Sequence, residues 1–308
     1  MDKYEFIKNS IGYDSSAFTS LPGNTSASYV NPDIWNRTLL NHEKSNLVVM
    51  QFARQYNDLL NAPGETLNVT IDSEPTAASA LTESVIVPID TLTFTQVTFT
   101  PTEYGAAYQV TDKEARRSFV DLMSNITQKL GYRLAKKKDA LAIALLTASA
   151  GNVLTANGVV SSDIASSDTL DTDDIINAKK LLKVDKYTPK SLIVAVEQEA
   201  SLMKLSDYKA AYAFGGREVI LNGQLGHAVG VDIYSTQQIT PSSSKCKAIL
   251  LGVNGNGEES FGICTKALPT IRTQRWERDR VTDFVAVEEY DLKVLHANGI
   301  CTIETYAA

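Results

Sequence analysis

Three cysteines, three histidines and two tryptophans are all that 308 residues contain of these types, and each shortage removes a class of function. Cys246, Cys264 and Cys301 are odd in number and 18 and 37 positions apart, which suits neither a disulfide framework nor a metal-ligand spacing. They are expected as buried, reduced thiols. His42, His227 and His296 fall in no His-x-x-x-His or Cys/His cluster, so no metal centre is predicted. No apolar run approaches the roughly 18 to 20 residues of a membrane span, and Met1 to Ser10 carries no apolar signal core after its charges. With 29 basic residues against 36 acidic ones, the chain also lacks the basic footprint that nucleic-acid binders usually carry. Catalytic signatures are missing too: there is no Gly-x-Ser-x-Gly elbow, phosphate-cradling loop or dinucleotide fingerprint. Asp173-Asp174, Glu258-Glu259 and Glu288-Glu289 are paired carboxylates, but neighbours on a strand point to opposite faces, so no catalytic residue, metal or cofactor is expected.

The most uneven shortage is of positive charge in one segment. From Tyr56 through Asp112 there is no Lys or Arg, while Asp58, Glu65, Asp72, Glu74, Glu83, Asp90, Glu103 and Asp112 are acidic. Lys113, Arg116, Arg117, Lys129, Arg133 and the Lys136-Lys137-Lys138 run follow at once, and Arg272, Arg275, Arg278 and Arg280 gather near the C-terminus.

What is present is a folded-protein composition, 44% hydrophobic and 21% charged, in an unusual order of parts. Residues 1–46 read as a polar arm rich in Ser, Asn, Thr and Tyr, with one helical start at Asn31-Pro32-Asp33. Period-two alternation then sets in: Leu67, Val69 and Ile71 interleave with Asn68, Thr70 and Asp72, and a second strand is predicted from Val85 through Thr100 after a flexible connection at Ser73 to Glu83. Two such strands have no opposing layer of their own. Phe119, Leu122, Ile126, Leu130, Leu134, Leu141 and Leu145 recur at helical spacing, predicting a helix of about 36 residues from Glu114, near 54 Å at 1.5 Å per residue. Gly131 is expected to mark a bend or a close approach within it.

A compact α/β block is predicted next. Asp171-Thr172-Asp173-Asp174 opens a helix that ends in lysines, matching its dipole; Leu192–Val196 is a buried strand, Glu197–Leu205 a helix, and Val231–Ile233 and Ala248–Val253 are strands. Asn254-Gly255-Asn256-Gly257 between Leu251 and Phe261 reads as a hairpin turn. Long strands close the chain at Ile271–Trp276, Val281–Val287, Tyr290–His296 and Ile300–Tyr306, expected beside the long helix.

In this order of arm, acidic ribbon, spine helix, α/β insert and terminal strands, the sequence resembles the major capsid proteins of tailed, double-stranded DNA bacteriophages and related viruses, the HK97-like type. The stretches that carry the likeness are Glu103-Tyr104-Gly105 to Thr111-Asp112-Lys113-Glu114, Leu170 to Leu182, Gly226-His227-Ala228-Val229-Gly230-Val231-Asp232-Ile233-Tyr234-Ser235, and Arg275 to Tyr306. The resemblance implies an α+β fold with an N-terminal arm at 1–46, an extended β-ribbon (E-loop) and its base at 47–112, a peripheral domain at 113–169 plus 266–308, and an axial domain at 170–265. It implies self-assembly into hexamers and pentamers of an icosahedral shell around DNA that is contacted weakly and without sequence specificity. A portal, a separate scaffolding or decoration protein, no membrane, and assembly in the host cytoplasm go with it.

Within that reading the acidic ribbon is expected to dock on a basic surface of a neighbouring copy, through Asp72, Glu74 and Glu83 on one side and Arg272, Arg275 and Arg278 on the other. The ribbon has no lysine, so the isopeptide crosslink of some family members is expected to be absent; with only about 46 residues before the ribbon, so is N-terminal cleavage. The alternatives are an encapsulin-like nanocompartment, a β-rich glycan-binding surface protein suggested by the Thr/Ser-rich strands, and a hydrolase with an unrecognised site.

Overall fold

A computed structural model describes residues 45, 47–60, 62–73, 91–118, 122–205 and 227–307, with 78, 80, 83, 86, 87 and 89 between. The arm reading of 1–46 and the helix start at Asn31 lie almost entirely outside the described residues. Among these, the strands are β1 (Arg54–Tyr56), β2 (Leu67–Asp72), β3 (Phe94–Phe99), β4 (Thr102–Thr111), β5 (Asn152–Thr155), β6 (Thr188–Ala195), β7 (His227–Ala228), β8 (Val231–Thr236), β9 (Lys245–Val253), β10 (Phe261–Trp276), β11 (Val281–Val294) and β12 (Ile300–Tyr306). The helices are α1 (Asp112–Arg117), α2 (Leu122–Ala148), α3 (Thr172–Val184) and α4 (Val196–Lys204).

Three sheets result. One has the order β1-β10-β11-β4, one the order β5-β12-β9-β6-β8-β7, and the third is the β2-β3 ribbon alone. Alternation is visible in the ribbon, where Leu67, Val69 and Ile71 are half-buried and Asn68, Thr70 and Asp72 exposed. Its antiparallel register runs from Leu67 opposite Phe99 to Asp72 opposite Phe94. The second strand therefore starts at Phe94, not at Val85; Ile86, Val87 and Ile89 are outside any strand and exposed, and Val85 lies outside the described residues. The ribbon is rooted by Phe99, fully buried against Leu59 and Cys264, and by the Thr100 N–H donating to Asp291 Oδ2 at 2.8 Å.

The long helix of the sequence is two helices. Thr111 caps α1: its hydroxyl accepts from Glu114 N while Glu114 returns a bond to Thr111 N, a capping box that starts the helix at Asp112. Ser118 then leaves it with φ −71° and ψ 132°, and α2 begins only at Leu122. A period of 3.6 marks which face is apolar but cannot register an extended residue such as Ser118 at the end of a helical run.

α2 serves both large sheets. Ile126, Leu130 and Leu134 pack on Phe284 and Ala286 of β11. Ala142, Ile143 and Leu146 join a second cluster with Ile193, Ile249, Leu251, Phe261, Ile263, Tyr290 and Ile300, which draws on β6, β9, β10, β11 and β12 together. On its other face the six-stranded sheet is covered by α3 and α4 through Ile175, Ala178, Leu182 and Leu202. Asp171 caps α3 with the Asp173-Asp174 acids in its first turn and Lys183 in its last, as its sequence predicts.

Two expected strand arrangements change. Asn254 to Gly257 is a turn, with Gly257 at φ +78°, yet it is not a hairpin: beyond the single Val253–Glu259 bridge, β9 enters the six-stranded sheet and β10 the four-stranded one. Ser260 makes the switch, its hydroxyl donating to the carbonyls of Gly252 and Gly299. β11 is also one strand where two were expected, and β12 lies between β5 and β9 in the six-stranded sheet. The 265/266 position, expected as a division between axial and peripheral parts, lies within β10.

Gly131 does not interrupt α2, which runs through it, and no close neighbour requires it, since a Cβ there would meet nothing within 4 Å. Gly131→Ala should accordingly stabilise the chain by about 1 kcal/mol, read as a raised midpoint in denaturant unfolding. An unchanged or lowered midpoint would mean that this part of the helix is not formed in solution.

Candidate assembly surfaces

The far ends of the four-stranded sheet hold the two charge groups that the sequence singled out. Tyr290 pairs with Thr102 at one end and Val281 with Thr111 at the other, about 30 Å apart at roughly 3.4 Å per residue. The acidic ribbon is rooted at the first end; the arginines crowd the second, where β10 and β11 turn. A chain's own ribbon and its own arginine cluster therefore leave the sheet from opposite ends.

The arginine end is built from the exposed half of β10. Phe261 to Cys264 are buried, whereas every residue from Leu268 through Trp276 is exposed. β1 covers the outer edge of β10 only from Gly262 to Cys264, which leaves the following stretch as a sheet edge among the described residues. Gly262 allows that cover, because a Cβ there would stand 2.8 Å from the Tyr56 ring. Leu268, Ile271 and Trp276 are exposed at 58%, 40% and 46%, and the Trp276 indole N–H donates to Asp283 Oδ2 at 2.8 Å.

The predicted contact residues have different fates. Arg275 is engaged within its own chain: Nη1 and Nη2 reach the two Asp112 oxygens at 2.9 Å each, and Nε reaches Glu277 at 2.7 Å. This two-pronged bond ties the β10 end to the first residue of α1. It holds the Asp112 carboxyl below the usual aspartate range and the guanidinium above its own. Arg272 and Arg278 are exposed and have no described partner. Asp72 ends β2 and Glu83 lies beyond it, both exposed; Glu74 falls outside the described residues. Among the described residues, nothing brings Asp72 or Glu83 to Arg272 or Arg278.

Sequence reasoning missed the apolar part of both surfaces. At the ribbon, Ile86, Ile89, Leu92 and Phe94 are exposed at 89%, 94%, 77% and 61%. The signal available was the loss of clean alternation in Val85-Ile86-Val87, which places apolar side chains on both sides of the chain.

The carboxylate pairs diverge, Glu288-Glu289 on a strand, Glu258-Glu259 in the turn before β10 and Asp173-Asp174 in the first turn of α3. Glu258 bonds Arg54 and Glu259 bonds Lys190; Glu288 bonds Lys138 and Glu289 bonds Lys266; Asp174 caps α3. No group of three or more His, Cys, Asp or Glu that could hold a metal occurs among the described residues. The three cysteines are free and buried, and desolvation pushes the Cys246 thiol up to about 11 and the Cys301 thiol up to about 12, far from a reactive thiolate. No described helix is long and apolar enough to cross a membrane.

Solved structures from phages superpose on this chain. The chain superposes on a Mycobacterium phage Che8 structure with a TM-score of 0.69 at 16% identity, over 89% of this chain and 96% of that one. The Cyanophage Pam1 capsid gives 0.74 at 13%, over 94% and 100%, and the capsid of Helicobacter pylori bacteriophage KHP30 gives 0.70 at 11%, over 93% and 98%. Identities this low define the fold, which is the HK97-like capsid fold. No curated protein matches. The family model described as phage capsid protein matches residues 95–307, more than half of the chain. The chain belongs to that family, and it is a major capsid protein.

The Arg275–Asp112 pair can be tested in solution. Replacing Arg275 by Gln should raise the Asp112 titration toward the ordinary aspartate value, followed by carboxyl-carbon NMR; no movement would show that the pair is not formed. Because Asp112 is held low, whatever the pair contributes to stability is complete above the unfolded-state value and is lost as pH falls through the folded one.

Proposed function

We propose that this capsid protein tiles an icosahedral shell as hexamers and pentamers around packaged double-stranded DNA, and that the ribbon of each copy docks on the exposed β10–β11 end of a neighbour. In that reading residues 1–46 are an arm laid over the shell, 47–112 the extended ribbon and its base, 113–169 with 266–308 the peripheral part, and 170–265 the part at the capsomer centre. The observation that carries the docking is the pairing of unlike surfaces: an acidic ribbon with exposed Ile86, Ile89, Leu92 and Phe94, and a sheet end with exposed Leu268, Ile271 and Trp276 beside Arg272 and Arg278. Because the two leave the sheet at opposite ends, a neighbouring copy completes each contact. The role is structural rather than catalytic, with assembly in the host cytoplasm alongside a portal and a separate scaffolding or decoration protein. A net charge of −7 suits a container that contacts DNA weakly.

Assembly of the variants checks this. Arg272→Glu and Arg278→Glu are expected to lower the yield of shells while the subunit stays folded by circular dichroism, and Asp72→Lys or Glu83→Lys in the same chain should restore part of it. Full assembly of the single variants would remove the charge part of the contact. Ile89→Ser should weaken assembly more than either arginine change. Nuclease-protected DNA inside purified shells supports a virus capsid over an encapsulin-like compartment, whereas a co-purifying enzyme reverses that choice.

A further inference from the structure

α2 carries one acid on its buried side. Asp139 is fully buried amid Ala142, Ile143 and Leu146 of the same helix and Val49 and Phe52 of the segment that leads into β1. Its Oδ1 accepts the Val49 N–H at 2.9 Å, while Oδ2 is buried with no described partner. Val49–Phe52 is a single 3-10 turn, and the residue before it, Val48, has no side chain able to cap it. The free N–H at its start is satisfied by a carboxylate 90 positions away.

The same segment is held a second time. Ser45 N and Oγ bond the Tyr132 hydroxyl at 2.8 and 2.6 Å, and Gln238 Nε2 donates to Ser45 Oγ at 2.5 Å. Tyr132 and Asp139 stand two turns apart on α2, about 10.5 Å at 1.5 Å per residue. Ser45 and residues 47–52 thus lie as a strap along the helix, held at Tyr132 and at Asp139.

We propose that Asp139 makes this strap a pH-sensitive clasp, closed most firmly when the carboxyl is neutral and released more easily as pH rises. An ionised carboxylate in an apolar site with one oxygen unbonded is destabilised relative to water; lifting the strap hydrates it. Burial raises the Asp139 carboxyl above the ordinary aspartate range, and the Val49 and Met50 amides offset only part of this. The other charged group nearby on α2, Lys138, is directed elsewhere, bonding Glu288 at 2.7 Å and lying 4.7 Å from the Tyr290 ring. β11 presents that paired Glu288 and Tyr290, β4 presents Tyr104 stacked on Tyr290, and the strap itself has no ionisable side chain from Ser45 through Phe52, its residues being Ser, Asn, Leu, Val, Met, Gln and Phe.

The sign follows from proton linkage. The closed state holds its proton to higher pH than the open one, so between the two values opening becomes easier by up to tenfold per pH unit. Hydrogen exchange of the full chain, corrected for intrinsic rates, should show protection of residues 47–53 falling toward that slope as pH rises, with 142–148 of α2 unchanged as an internal reference. Asp139→Asn should keep the strap closed and abolish the slope. Flat protection in the unaltered chain, or the same slope in Asp139→Asn, overturns the clasp. Should the variant not fold, carboxyl-carbon NMR of the unaltered chain decides: an Asp139 titration at or below the ordinary aspartate value rejects the proposal. None of these readouts uses shell formation, so their failure leaves the capsid reading untouched.

Discussion

One helix must satisfy two sheets at once, and most of the body follows from that requirement. The first half of α2 offers Ile126, Leu130 and Leu134 to β11, and its second half offers Ala142, Ile143 and Leu146 to a cluster shared by both large sheets. A single apolar stripe drifts round a straight helix, so it can face two differently oriented layers along its length. At the changeover the stripe is interrupted by Lys138 and Asp139, which point to different partners: Glu288 on β11 for one, the strap for the other. A buried pair such as Lys138–Glu288 adds little net stability, yet losing one partner is costly. It therefore acts as a selector of one seating of the helix.

The body closes on itself, and the ribbon does not. Tyr290, Phe261, Leu130 and Leu146 are all essentially removed from water, whereas the ribbon has one anchored end at Phe99 and a row of exposed apolar residues beyond Phe94. The same contrast divides β10, buried where β1 covers it and exposed from Leu268 on. Polar ladders such as Thr98–Asn68 and Ser73–Thr93 hold the two ribbon strands in register but cover no apolar surface. Two strands alone are marginal in water.

Much of this was legible from local pattern. Alternation at Leu67 to Asp72, the apolar spacing of α2, the Asp171 cap and the buried runs at Leu192 and Ala248 each reflect a period or a cap that a few residues encode by themselves. What escaped depended on contacts far apart in sequence. Ser118 breaks a helix whose stripe continues on either side; Ser260 sends β10 into a different sheet through bonds to Gly252 and Gly299; Arg275 is claimed by Asp112, 163 positions away. Two of the three arginines expected on the contact surface have no described partner and one is paired within its own chain, a distinction that charge counting cannot make. Asp139 left a trace, an acid among core positions of a helix, but only the strap gives it a meaning.

Magnitudes decide how the two proposed surfaces divide their labour. An exposed ion pair is worth about 0–1 kcal/mol, and salt screens it beyond a Debye length of about 8 Å; burial of an aliphatic or aromatic side chain is worth about 1.5–3 kcal/mol. Ile86, Ile89, Leu92 and Phe94 together would therefore supply most of any docking energy, with Arg272 and Arg278 choosing where along the edge the ribbon settles. Four such side chains come to roughly 6–12 kcal/mol, close to the roughly 4–15 kcal/mol that two free bodies lose in rotation and translation on associating. One docked ribbon would then be a transient contact. In the proposed closed ring every copy would both give and receive a ribbon, and the last closure would add a contact without a further body to immobilise, so the stability would belong to the closed assembly and not to any pair within it.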